Sequence, residues 1–245
     1  MDLVANELDK QRKDTIVILP GFCTVHFTDL ESVVCSYIDK AAAVTGCVAW
    51  FTNAKIMDAV ARVPSRIAVQ REEWLRYERL DGDAVHQSMY KRAQLERLAN
   101  MSILPLCDLY QNDPLPLPQE TRPEFEDRSI RCVGHIATPG SDKENRALMH
   151  HKFLVFYRHS GGCGQLEPFA VLNGSANMTK NMTNSIENMV YLEDREIAKR
   201  FHHEFLFIYG LSVPMKMEDR RGVEPVPTLV FDCSQIPRRS SYFYL

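Results

Sequence analysis

The sequence lacks a long hydrophobic run. No stretch of its 245 residues approaches the roughly 20 consecutive apolar residues that a membrane-spanning helix needs. Residues 1–14 are rich in charge and lack the apolar centre of a secretory signal peptide. We therefore expect a cytoplasmic protein without stable membrane insertion.

Paired cysteines are also missing. The seven cysteines form no C-x-x-C pair, and cysteine and histidine are not grouped at the short spacings of a zinc site. Their odd number and their positions in apolar stretches predict reduced, buried thiols. We expect a protein that uses neither a metal ion nor a cofactor.

Charge of one sign is not in excess over the whole chain. The net charge is −3, so the molecule is not an obvious polyanion binder. Between Arg128 and Arg158, however, six lysines and arginines stand against two acidic residues, a local balance of +4. Such a patch suits a nucleic acid or a phospholipid headgroup, and a solvated loop with loose charges is the alternative for the arginines outside the motif described next.

The sequence does contain a histidine and a lysine two residues apart, His150 and Lys152, at the start of the apolar run 153–156. Alternate side chains of a strand share a face, so this pair is predicted to point one way and His151 the other. An imidazole beside a fixed cation suits attack on a phosphodiester. A structural histidine is the alternative, but a buried Lys152 needs a phosphate or carboxylate nearby, which favours a site.

Small and polar residues follow the apolar run in two short elements. The first is Gly174-Ser175-Ala176-Asn177, and the second is Ser185-Ile186-Glu187-Asn188. Ser175 and Asn177 either bind phosphate or cap the helix after the turn, and the two roles are compatible because helix N-termini bind anions.

Together these elements resemble the signature of the phospholipase D superfamily, His-x-Lys-x4-Asp followed by Gly-Ser-x-Asn. The resemblance implies a phosphohistidine intermediate on His150, with Lys152, Ser175 and Asn177 binding the phosphate. Tyr157 stands where the signature has aspartate. Glu187, in the second element, therefore becomes the candidate acid that orients His150.

The order of predicted elements indicates an α/β layered fold, and the resemblance implies a central mixed β-sheet flanked by helices on both faces. We expect one phospholipase D-like domain over residues 1–245, with a proline-rich loop near 113–123 and an irregular tail from about 212. A first helix from Leu30 is predicted to end at Gly46, before a strand at 47–51 whose Trp50 and Phe51 are assigned to the core. Further predicted elements are helices at 54–63, 72–100 and 196–209 and strands at 66–70, 130–136, 168–172 and 189–192.

Only one His-x-Lys pair is present, whereas superfamily enzymes of this mechanism use two. The resemblance therefore implies a homodimer whose twofold axis completes the active site. We expect a metal-independent phosphodiesterase, with DNA or RNA as the first substrate class. A phospholipase that cleaves a lipid headgroup, and a non-catalytic nucleic-acid-binding or assembly protein on the same fold, are the alternatives.

Overall fold

The structure is a computed structural model that describes residues 22–70, 104, 130–133, 148–160, 165–210 and 212, and the backbone of 18–19 and 213–214. Its strands are β1 (Ile18–Leu19), β2 (Cys23–His26), β3 (Ala43–Val48), β4 (Ser65–Gln70), β5 (Ile130–Val133), β6 (Lys152–His159), β7 (Leu166–Gly174), β8 (Met189–Leu192) and β9 (Val213–Pro214). Its helices are α1 (Leu30–Ile38), α2 (Ala54–Val60) and α3 (Arg195–Gly210), with a short 3-10 helix at Lys180–Thr183.

The described strands form one mixed sheet in the order β1-β2-β8-β7-β6-β3-β4-β5-β9. The pairs β3–β4 and β4–β5 are parallel, and the other pairs are antiparallel. Helices α1 and α2 cover one face through Val34, Ile38 and Ile56, while α3 covers the other through Phe205 and Tyr209. The predicted α/β fold, a mixed sheet with helices on both faces, is confirmed.

The predicted helix–strand–helix–strand unit near the N-terminus is present as α1, β3, α2 and β4. Asn53 caps α2, because its side-chain oxygen accepts a hydrogen bond from the Ile56 backbone N–H at 3.2 Å. Asp29 precedes α1 with a positive φ of 48°, and its carboxylate accepts from the Ser32 hydroxyl at 2.8 Å. It makes no side-chain hydrogen bond to the backbone of α1.

The prediction that the first helix ends at Gly46 was wrong. The helix ends at Ile38, and Gly46 lies inside β3 opposite Leu154 of β6. A Cβ atom on Gly46 would lie 2.5 Å from the backbone oxygen of Phe153. The glycine is needed because the two strands approach closely, and this close approach fixes the strand that carries Lys152.

Several predicted segments lie outside the described residues, namely the helix at 72–100, the proline-rich loop at 113–123 and most of the C-terminal tail. The tail is not irregular at its start, because Val213–Pro214 pair with β5 as strand β9. The cysteines within the described residues (Cys23, Cys35, Cys47 and Cys132) form no disulfide, and burial raises the pKa of the Cys47 thiol. No helix in the described part of the chain is long and apolar enough to cross a membrane.

Candidate active site

The candidate site lies at the ends of four central strands of the sheet, where β3 and β7 end and β6 and β8 begin. The antiparallel register sets Val48 opposite Lys152, and Gly174 opposite Met189. Strand β6 begins at Lys152, so His150 lies just ahead of the strand that was predicted to contain it. The pairing still extends to this segment, because the Ala49 backbone N–H donates to the His151 carbonyl at 2.8 Å.

His150 and Lys152 are in direct contact. The Lys152 ammonium nitrogen lies 3.2 Å from each ring nitrogen of His150 and donates to the His150 carbonyl at 3.1 Å. Lysine has only donors, so the ring nitrogen that accepts must carry a lone pair. The structure therefore brings together a cation and an imidazole that accepts from it, and the spacing predicted that the two side chains share a face.

Lys152 is only 7% exposed. Burial lowers the pKa of its ammonium group, and the negative charge of Glu187 acts in the opposite direction. A carboxylate thus accompanies the buried lysine, as expected. Little water therefore competes with other groups for contact with the ammonium.

Trp50 contacts both His150 and Lys152. Its ring centroid lies 5.3 Å from that of His150 in an edge-to-face arrangement, with 82° between the planes, and 5.8 Å from the Lys152 ammonium nitrogen. The assignment of Trp50 to the core was wrong, because its side chain is half-buried at the site, whereas Phe51 is buried as predicted. No local sequence signal indicates this position, which follows from the pairing of β3 with β6.

Ser175 and Glu187 are joined by a hydrogen bond. The Ser175 hydroxyl donates to the Glu187 carboxylate and accepts from the Asn188 backbone N–H at 3.1 Å. The Ser175 N–H in turn donates to the Asn188 carbonyl at 3.1 Å. A Cβ atom on Gly174 would overlap that same carbonyl, so the turn requires glycine. These contacts fix Ser175 and Glu187 as one unit.

Glu187 and His150 are not joined by a hydrogen bond among the described residues. The hydrogen-bond partner of Glu187 is Ser175, and its charge acts on Lys152. Within the same residues, the His150 ring contacts Lys152 and Trp50. The orienting role of Glu187 on His150 stays a prediction, and the geometry favours an action of Glu187 through Lys152.

Asn177 carries a buried side-chain oxygen without a hydrogen-bond partner in the described part of the chain. The oxygen and nitrogen of an amide exchange places by a half-turn, so this position offers either an acceptor or a donor pair. Neither Ser175 nor Asn177 caps the helix after the turn, because the 3-10 helix at Lys180–Thr183 begins after Thr179. The unsatisfied amide remains available to a ligand, as phosphate binding requires.

Tyr157 lies on the opposite face of the sheet from Lys152, in the core beneath α3. Its hydroxyl is 2.9 Å from the Thr45 hydroxyl and 2.7 Å from His202 Nδ1, and burial raises the pKa of the phenol. The β6–β7 register shifts between Phe156 and Tyr157. The residue at the aspartate position of the signature therefore joins β3, β6 and α3 and does not enter the site.

His151 and the two described arginines of the basic segment point away from the site. The His151 ring pairs with Glu204 of α3 at 3.5 Å, so its predicted opposite orientation is confirmed. Arg131 is buried and donates to Ser212, while Arg158, near the far end of β6, pairs with Glu167. The predicted basic patch does not form from these two arginines.

Two apolar side chains that are close in sequence to residues of the site are exposed. Leu148, two residues before His150, and Ile186, next to Glu187, are each 59% exposed. Among the described residues, no three side chains of His, Cys, Asp or Glu are grouped as a metal ion would require. The expectation of a metal-independent reaction stays a prediction.

Comparison with known proteins gives a family match to the segment that holds this site. Residues 120–208 match the family model described as "Cardiolipin synthase, PLD-like domain". An uncharacterised protein of Acanthamoeba polyphaga mimivirus is 26% identical over 199 residues, which cover 76% of this chain. The matched part spans 65% of that relative, just under two thirds of its length.

Comparison with solved structures gives, among others, two matches at low sequence identity. The phospholipase D family member Nuc from Salmonella typhimurium has a TM-score of 0.46 and 17% identity, covering 78% of this chain and 95% of its own. NucT from Helicobacter pylori has a TM-score of 0.48 and 12% identity, covering 78% of this chain and 98% of its own.

The matched segment contains both elements of the site, the His150–Lys152 pair and the turn from Gly174 to Asn177. Residues 120–208 are therefore similar to the phospholipase D-like family that this model describes.

Proposed function

We propose that this protein is a metal-independent phosphodiesterase that forms a phosphohistidine on His150, and that it is a nuclease acting on DNA or RNA as a homodimer. The observation that carries the proposal is the contact between the Lys152 ammonium and the His150 ring at 3.2 Å. A nucleophile and the cation that neutralises the phosphate are already adjacent, so little reorganisation precedes attack.

The phosphate pocket is supported by the turn after β7. The phosphate oxygens would accept from the Lys152 ammonium. After a half-turn of its side chain, Asn177, whose buried oxygen is without a partner among the described residues, would donate to them through its N–H groups. The Ser175 hydroxyl donates to Glu187 in the absence of substrate. It can turn toward a phosphate oxygen while still accepting from the backbone N–H of Asn188.

The proposed reaction has two displacements at phosphorus. A ring nitrogen of His150 forms a bond to phosphorus as the phosphorus–oxygen bond to the leaving group breaks, and His150 of the partner subunit gives that oxygen its proton. The same imidazole of the partner subunit then takes a proton from water. The oxygen of that water attacks phosphorus and breaks the bond to nitrogen, so the net change is hydrolysis.

A second copy is needed because each chain supplies one such pair. In an isologous twofold interface, the strand ends that carry the site would face each other, and each subunit would contribute one His150–Lys152 pair. General acid assistance of this kind is typically worth about 10²–10⁴-fold in rate. We therefore propose that the monomer is inactive and that the dimer is the active species.

A lipid phosphodiester is the second candidate substrate, and a specific observation favours it. Leu148 and Ile186 are exposed and lie within two residues of His150 and Glu187 in the sequence, so they could contact the apolar part of a phospholipid. The description of the matching family model also names a lipid synthase. Nucleic acid is placed first because its phosphodiester requires only the polar groups described above.

The test is a hydrolysis panel in EDTA with plasmid DNA, single-stranded DNA, RNA and phosphatidyl substrates. We expect nucleic acid to be cleaved, His150→Ala to be inactive, and the matched control His151→Ala to retain activity. A phosphorus label should attach to the protein through an acid-labile bond, and sedimentation should show activity only in the dimer. Cleavage restored by a divalent ion would contradict the mechanism, and binding of nucleic acid without cleavage would support a non-catalytic protein.

A further inference from the structure

We infer that Trp50 is a positioning residue for this site, whose indole ring holds the Lys152 ammonium and the His150 imidazole in their mutual arrangement. The inference rests on the proposed function, since it assigns Trp50 a part in that chemistry. It gives the residue a role that neither its neighbours in sequence nor the superfamily signature indicates.

The ring meets both partners with favourable geometry. The Lys152 nitrogen lies 5.8 Å from the indole centroid, within the distance of about 6 Å at which a cation is attracted to an aromatic face. The imidazole is edge-to-face with the indole at 5.3 Å, the arrangement that aromatic quadrupoles favour over direct stacking. One ring thus contacts the nucleophile and the cation at once.

The backbone around Trp50 is anchored to the phosphate-binding turn. Phe51 is 2% exposed and forms a parallel bridge with Met178, and the Thr52 backbone N–H donates to the Met178 carbonyl at 2.9 Å. Met178 directly follows Asn177. The indole is therefore held in register with the group that is proposed to bind phosphate, and this restricts where Lys152 can place its ammonium.

The energetic need for such a ring comes from the burial of Lys152. Burial disfavours its charged form, and the titratable groups that face it among the described residues are His150 and Glu187. Only Glu187 is negative, and its carboxylate is also engaged by Ser175. An aromatic face adds stabilisation of the cation at a place from which water is largely excluded.

The chain offers a matched control. The Lys40 ammonium nitrogen lies 5.7 Å from the centroid of Tyr37, nearly the same separation as in the Lys152–Trp50 pair, but Lys40 is exposed. Tyr37→Leu removes an aromatic ring of similar burial without touching the site. If the role of Trp50 is purely structural, substitution of Trp50 and Tyr37→Leu should both leave the pKa of Lys152 unchanged and differ only in their effect on stability.

The experiment measures the pKa of Lys152 directly, by NMR of protein with ¹³C-labelled lysine side chains, with the Lys152 resonance assigned through Lys152→Arg. Trp50→Leu should lower that pKa by roughly 0.5 to 1 pH unit, and Trp50→Phe by a smaller amount. Tyr37→Leu should leave it unchanged. The alkaline limb of the single-turnover cleavage rate should move in the same order, to lower pH.

Equal pKa values for Lys152 in the wild type, Trp50→Phe and Trp50→Leu would overturn the inference, as would a shift of the same size in Tyr37→Leu. If Trp50→Leu does not fold, the comparison of Trp50→Phe with the wild type decides the question alone. The NMR measurement needs no substrate. A shifted pKa in a protein that cleaves nothing would uphold the role of Trp50 and refute the proposed function.

Discussion

Replacement of Glu187 by glutamine tests how the two polar elements of the site are coupled. The substitution keeps the size of the side chain and lets the Ser175 hydroxyl donate to an amide oxygen, but it removes the negative charge that supports the Lys152 ammonium. Without that charge the pKa of Lys152 should fall further below its ordinary value. The protonated form, which phosphate binding requires, is then lost at a lower pH.

The effect on stability should be small. A hydrogen bond to a charged group is worth about 1.5–3 kcal/mol and a neutral one about 0.5–1.5 kcal/mol, so the difference is at most about 1.5 kcal/mol. Ser175 is exposed and Glu187 half-buried, so solvent reduces this to roughly 0.5–1 kcal/mol. The effect on turnover should be larger, roughly 10- to 100-fold or about 1.4–2.7 kcal/mol, because the charge acts on the cation that faces the transition state.

The assay is the single-turnover cleavage rate against pH, with urea unfolding measured in parallel. Glu196→Gln is the control, because it removes an exposed carboxylate in the first turn of α3. Glu187→Gln should shift the alkaline limb to lower pH and reduce the rate, while Glu196→Gln should change neither. A Glu187→Gln protein with the wild-type rate and profile would refute the coupling. A shift confined to the acidic limb would instead indicate that Glu187 acts on His150.

Further predictions follow from three other positions. In the wild type, the cleavage rate should fall as pH rises through the lowered pKa of Lys152, and Lys152→Arg should move that limb upward; a profile that is flat at alkaline pH would contradict this. Gly174→Ala should cost about 1–3 kcal/mol of stability and reduce turnover, because the new methyl group overlaps the Asn188 carbonyl, and thermal unfolding with single-turnover kinetics measures both. Tyr157→Phe should cost about 1–3 kcal/mol in urea unfolding, because it removes the buried hydrogen bonds of the phenol with Thr45 and His202, with turnover unchanged. A slow but fully stable Tyr157→Phe protein would place the phenol in the reaction.

The fold could be predicted from the sequence where periodicity and caps agree. The Asn53 cap and the apolar spacing of α2 fixed its start, although α2 ends at Val60, earlier than predicted. The end of the first helix was wrongly predicted at Gly46, because a glycine that follows a helical pattern usually marks the end of the helix. Its actual cause is a close approach of β3 to β6, which involves residues more than a hundred positions away and leaves no local signal.

The candidate site could be predicted only in part, for a related reason. The contact between His150 and Lys152 follows from alternation along one chain segment, so the spacing alone was sufficient. The partner of Glu187 depends on how two connections pack at the ends of β7 and β8, and sequence order could not distinguish His150 from Ser175 as that partner. Trp50 was assigned to the core for the same reason, since only the β3–β6 register places it beside His150.

The Tyr157 substitution separates two requirements that the superfamily signature combines. Lys152 and Tyr157 are five residues apart on one strand, so their side chains lie on opposite faces of the sheet. A residue at position 157 can therefore stabilise β6 only through the core on the face that α3 covers. There Tyr157 reaches both β3 and α3 with one hydroxyl, through Thr45 and His202. A tyrosine at the aspartate position of the signature is thus compatible with the arrangement of the candidate site, because the groups of that site are held on the other face by Trp50, Glu187 and the turn after β7.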